Sequence, residues 1–157
     1  MDPSIAPAVR ALLKAQNIAS LGTLHDGEPY VSMVPFAILP RGPDFVIHVS
    51  NLAAHTGDML ANSKASLMIV AAEEEGVSPQ ARPRITIQGE ALQIPHAAAL
   101  YPEAREAYMR RFPESAQIFE LTDFSLFAIR ARLCRFVGGF AQARSLTGDG
   151  LATVLAG

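Results

Sequence analysis

The stretch 30–59, YVSMVPFAILPRGPDFVIHVSNLAAHTGDM, reads as a strand, a Gly/Pro turn, a second strand and the start of a helix. Two β-like runs deliver Ser32, Ser50 and the pair His55-Thr56 towards one place. The first turn of a helix presents unpaired backbone N–H groups and the positive end of its macrodipole. Hydroxyl and imidazole donors gathered there make a seat for a phosphate, so the spacing predicts a phosphorylated cofactor on this segment. The plainer alternative is that each serine satisfies its own strand and His55-Thr56 only caps the helix.

Working outward, residues 18–25 and 29–39 flank Asp26-Gly27, a dipeptide suited to a hairpin turn with positive φ. The second run is apolar on both faces: Tyr30, Val34, Phe36 and Ile38 alternate with Val31, Met33 and Ala37. That pattern predicts a strand buried on both sides or one crossing a subunit interface, with Pro35 marking a bulge or an edge. Residues 44–50 return as a third strand, 55–62 form a short helix, and 65–72 a fourth strand. Arg84 to Ala91 alternates, with Arg84, Thr86, Gln88 and Glu90 opposite Ile85, Ile87 and Ala91. Residues 95–120 read as helix in two pieces, broken by Pro102 and Pro113. A long last strand spans 124–140, with Ile129, Ala131 and Leu133 on its apolar side and Gly138-Gly139 bending its end. An amphipathic helix over 4–16, capped by Ser4, lies ahead of the strands. Residues 145–157 carry little pattern and are expected to be loose or to pack on a partner. Six or so strands in hairpin order predict one closed or partly closed antiparallel barrel over 1–157, mainly β (α+β), with flanking helices.

Composition narrows the function. With 157 residues, 50% of them hydrophobic, the chain suffices for one sizeable core. A net charge of −2 gives no basic field for nucleic acid. The 13 basic residues include only two lysines, Lys14 and Lys64; arginine suits forked recognition of phosphate and carboxylate, although a GC-rich genome gives the same bias. The single cysteine, Cys134, excludes an intrachain disulfide and a Cys-rich metal site, and its strand context predicts a packed, inert thiol. The N-terminus lacks a signal-peptide pattern and no uncharged run reaches the ~20 residues of a membrane span, so a cytoplasmic protein is expected. His25 at a turn and His96 at a helix start read as exposed, and His48 as a partly buried, satisfied imidazole. No H-x-x-x-H, G-x-S-x-G, G-x-G-x-x-G or P-loop spacing occurs, which speaks against zinc hydrolases, serine hydrolases, Rossmann dehydrogenases and P-loop NTPases.

In order and spacing, the VSMVPFAI strand, the HVSNLAAHT turn, the SLMIV strand and the RITIQGEA strand resemble the FMN-binding split-barrel family of pyridoxamine 5′-phosphate oxidase. The AHT turn, REAYMRRFPESAQIFELTDFSLFAI and the closing FVGGFAQA are similar to its haem-utilisation branch. The resemblance implies a homodimer with FMN sites between the subunits, held by Ser32, Met33, Val34 and Pro35 from one strand. Val49, Ser50, His55 and Thr56 would lie near the phosphate, Arg84 towards the flavin, and Phe140 and Gln142 would reach the site from the partner subunit. His55-Thr56 and Ser32 stand where the pyridoxamine-phosphate oxidases carry an Arg-Lys pair and an Arg, and their C-terminal Arg/His segment is not recognisable. Asp58 stands where the branch suggests Asn, adding negative charge near the phosphate. These expectations define an FMN oxidoreductase of a small organic substrate, with haem binding or breakdown, or a non-catalytic flavin module, as the alternatives.

Overall fold

In the computed structural model, residues 5–40, 42–139 and 142–157 are described. Eight antiparallel strands make one curled sheet, a split barrel flanked by helices. After helix α1 (Ala6–Ala15) come β1 (Ile18–His25) and β2 (Glu28–Pro35). Asp26 and Gly27 adopt φ of 51° and 82°, the tight hairpin geometry that the dipeptide predicts. Next follow β3 (Ala37–Ile38), β4 (Asp44–Ser50), helix α2 (Ala54–Ala61), β5 (Lys64–Val70) and β6 (Arg84–Ile94). Helix α3 (Tyr101–Arg111) and a 3-10 helix (Pro113–Glu120) lead into β7 (Phe124–Val137), β8 (Ala143–Thr147) and α4 (Gly148–Ala156). Pro113 separates the helical pieces; Pro102 falls in the first turn of α3, where a missing N–H costs nothing, and so does not break it.

The strand order β2-β1-β5-β6-β7-β4-β3, with β8 also on β7, explains why the barrel is split. β7 is long enough for two strands to share one of its edges: residues 124–130 pair with β4 and 133–137 with β8. Between them the β6–β7 register slips, Gln88 opposing Leu133 and Gly89 opposing Ala131, so Arg132 is an extra residue. The bulge reverses the side-chain parity of β7. Ile129 and Ala131 are buried as expected, but Leu133 is 55% exposed and Cys134 and Phe136 take the inward positions.

The core explains the helices. Leu21, Phe45, Ile47, Leu67, Ile85, Ile87, Phe127 and Ile129 fill the barrel, closed by Val9, Leu12 and Leu13 of α1. A second cluster on the far side of β4 joins Val46, Leu126 and Ala128 to Ala104 and Tyr108 of α3. β4 is therefore buried on both faces. Residues 145–157, expected to be loose or to pack on a partner, are ordered on this chain's own core: β8 pairs with β7, and α4 buries Leu151 and Val154 there. Thr147 caps α4, its hydroxyl accepting from the Gly150 N–H at 3.0 Å. Ser4 lies outside the described residues, and α1 starts after Ile5 without a side-chain cap. β2 is not buried on both sides within the chain, since Val31 is 69% and Met33 61% exposed. No helix among the described residues is long and apolar enough to cross a membrane.

Candidate functional site

Four predicted residues meet at the start of α2. β2 carries Ser32 on the inward face beside buried Val34, and its Oγ lies 2.8 Å from His55 Nδ1. β4 ends at Ser50, whose carbonyl accepts from Thr56 Oγ1 at 2.6 Å and from the Ala53 N–H at 3.1 Å. Its hydroxyl accepts from the Leu52 N–H at 3.2 Å. Thr56 is 1% exposed, so its hydroxyl ties α2 to the end of β4 instead of facing a ligand. The residues converge, and they largely satisfy one another.

Charge at this corner is low. Burial pushes the His55 imidazole pKa down, against the opposing pull of Asp58, which keeps it neutral near pH 7. Asp58 turns away from the helix start towards β1. It accepts from Thr23 Oγ1 at 2.9 Å and from His25 Nδ1 at 2.7 Å. Burial alone would raise the Asp58 pKa, but the hydrogen bonds from His25 and Thr23 and the neighbouring imidazoles carry it below the usual value. The same hydrogen bond raises the His25 pKa. Asp58 thus anchors α2 to the β1–β2 hairpin, a role the sequence did not disclose, because Thr23 and His25 lie more than thirty residues away in the chain.

The other predicted residues are placed elsewhere. Val34 and Val49 are core residues, 2% and 3% exposed, and contribute only backbone to any site; Pro35 ends β2. Met33 projects from the opposite, outer face. Arg84 opens β6 on that outer face with Thr86 and Gln88, and its Nη1 donates to the carbonyls of Gln80 and Arg82 at 3.0 and 3.1 Å. It braces the preceding loop and is not gathered with Ser32 and His55. Gln142 closes a turn by accepting from the Gly138 N–H at 2.9 Å and lines a cleft with Ile5 and Ala8 of the α1 end; Phe140 lies outside the described residues. Among the described residues, a flavin phosphate would find here a helix start and one Ser–His pair, with no Lys or Arg hydrogen-bonded to them. The donor set fits a dianionic monoester poorly.

The remaining histidines are structural. His48 stacks on Phe119 at 3.9 Å with Tyr108 and Phe124 around it, and burial pushes its pKa down to about 4, with His96 adding to the shift. His96 stacks on Tyr101 at 4.4 Å. Cys134 is buried and its thiol is pushed up to about 11, an inert packing group as expected. Among the described residues no cluster of His, Cys, Asp or Glu is arranged to hold a metal ion.

This curled antiparallel sheet with flanking helices places the protein in the split-barrel class. Residues 5–138 match the family model described as pyridoxamine 5′-phosphate oxidase, and the chain belongs to that family, in its haem-utilisation branch. It is 33% identical over 138 residues to the chloroplastic haem oxygenase HOZ of Arabidopsis thaliana, covering 86% of this chain and 40% of that protein. It is 28% identical over 149 residues to the haem oxygenase HutZ of Vibrio cholerae, covering 94% of this chain and 84% of the other. Among solved structures, a haem-binding protein from Mycobacterium smegmatis superposes with a TM-score of 0.86 at 29% identity, over 98% of this chain and 62% of that one. The chain thus spans less than two thirds of the plant and mycobacterial relatives.

Proposed function

We propose that this chain is a haem-handling member of its family, binding haem and taking part in its breakdown or storage, and not an FMN oxidoreductase. The observation that carries this reading is the haem chemistry of its named relatives, joined to the poor fit of the α2 corner to FMN phosphate. The named relatives above are haem oxygenases and a haem-binding protein. In the same corner where FMN phosphate was expected, Thr56 and Ser32 are engaged within the chain, and among the described residues no Lys or Arg is hydrogen-bonded to Ser32, Ser50, His55 or Thr56. Bound haem would supply iron for oxygen chemistry; the part left to the protein is to hold the macrocycle and control its polarity and access.

The outer face of the sheet suits a homodimer. Met33 and Met68 flank Ser20 on the outer face, both exposed, at 61% and 40%. Flexible thioethers on an open sheet face suit burial against a second copy. The second reading, FMN binding, rests on the family and on the exposed first turn of α2. The test is the absorption spectrum of protein purified from cells replete in both haem and riboflavin. A Soret band without flavin bands is expected; flavin bands alone would refute the haem reading.

A further inference from the structure

An open cleft of about 400 Å³ lies over the outer face of the sheet beside the β1–β2 hairpin, on the face opposite Ser32. One register row forms its floor: Gly22 opposes Ser66, and Ser66 opposes Gln88. Val31 and Leu133 stand at the two ends of that row, opposite Gly22 and Gln88, and both are exposed. The result is a shallow trough with a low floor and apolar ends.

The β7 bulge supplies the polar element. Because Arg132 is the extra residue, it and Leu133 both face outward and both line the cleft, which an unbroken strand would not allow. Gly89 permits this geometry, since a Cβ there would lie 2.0 Å from the Arg130 carbonyl oxygen. Lys64 lines the cleft from the start of β5. Neighbouring Arg130 is paired with Asp44 at 3.2 Å, but among the described residues neither Lys64 nor Arg132 has a carboxylate within 4.0 Å. Glu90, the register partner of Lys64, does not line the cleft. Two cations without partners beside apolar walls complement a flat molecule that carries acid groups.

We propose that this cleft seats a flat, apolar-faced dicarboxylate of the tetrapyrrole class, with Lys64 and Arg132 receiving its acid groups. The proposal rests on the haem reading and assigns it a place in the fold. No histidine is among the lining residues, so the acid groups and the flat face carry recognition, and the metal-free macrocycle binds comparably to the iron form.

The full chain is titrated with hemin, metal-free protoporphyrin IX and its dimethyl ester, followed by absorbance and fluorescence. A Lys64→Gln/Arg132→Gln double variant is expected to weaken both dicarboxylates about tenfold or more while leaving the ester unaffected. Leu133→Glu, which keeps both cations but charges the wall, is expected to weaken all three. If wild-type protein takes up hemin and both variants take it up equally well, the seat is wrong and the haem reading stands. If wild-type protein shows no saturable uptake of hemin, the haem reading falls and the seat with it.

Discussion

Replacing Thr56 by Val separates a structural from a ligand-binding role for the most buried hydroxyl of the α2 corner. The side chain keeps its shape and loses one donor, the one that reaches the Ser50 carbonyl at 2.6 Å. That carbonyl still accepts from the Ala53 N–H at 3.1 Å, so it is not orphaned, and the larger penalty for an unsatisfied buried group does not apply. The expected loss is the net worth of one buried hydrogen bond, about 1 kcal/mol. For a chain of 157 residues that corresponds to a Tm lower by roughly 2–4 °C. Urea unfolding and a thermal melt read the loss, and FMN and hemin titrations of the same variant read the site. Ser50→Ala is the control: its hydroxyl meets only the exposed Leu52 N–H, so stability should be nearly unchanged. A Thr56→Val protein with wild-type stability and a collapsed affinity for FMN would show that the hydroxyl serves a phosphate, and would refute the reasoning.

Three further perturbations follow from the same geometry. Gly89→Ala drives a Cβ to 2.0 Å from backbone oxygen, so the bulge must rearrange, with an expected cost of about 3 kcal/mol or more seen as a large fall in urea midpoint. The partly buried His48 has a folded-state pKa of about 4, below its unfolded value, so its contribution to stability is present above about pH 6.5 and is lost as pH falls towards 4; His48→Phe should flatten the pH dependence of Tm over that window. Met33→Glu places a charge on the exposed outer face and is expected to convert a dimer to a folded monomer, measured by light scattering with circular dichroism as the check on folding.

Much of the barrel was legible because its strands obey local rules. Asp26-Gly27 fixed a hairpin, and the alternation of Arg84 to Ala91 reports a half-buried strand without ambiguity. Leu133 was misread because a bulge depends on a glycine in another strand, which no period-two pattern reveals. The order of residues 145–157 was missed for a related reason: Leu151 and Val154 acquire their burial only when β8 and the barrel are already in place. At the site, sequence spacing brought Ser32, Ser50, His55 and Thr56 together correctly. It could not tell whether their polar atoms face outward or one another, because that depends on hydrogen bonds of 2.6–2.8 Å set by the packing of α2. The family resemblance sends Arg84 towards the flavin, whereas strand parity puts it on the face opposite Ser32.

The family resemblance carries flavin chemistry as its default, while the α2 corner is poor in donors for a phosphate and the named relatives handle haem. Retention of the two cofactors side by side tests this most directly. Purified apo-protein is equilibrated with equal hemin and FMN, freed of unbound ligand by gel filtration, and read by its visible spectrum. Retained hemin in stoichiometric amount with FMN lost to the column is the result expected here. Retained FMN with hemin washed away would contradict it.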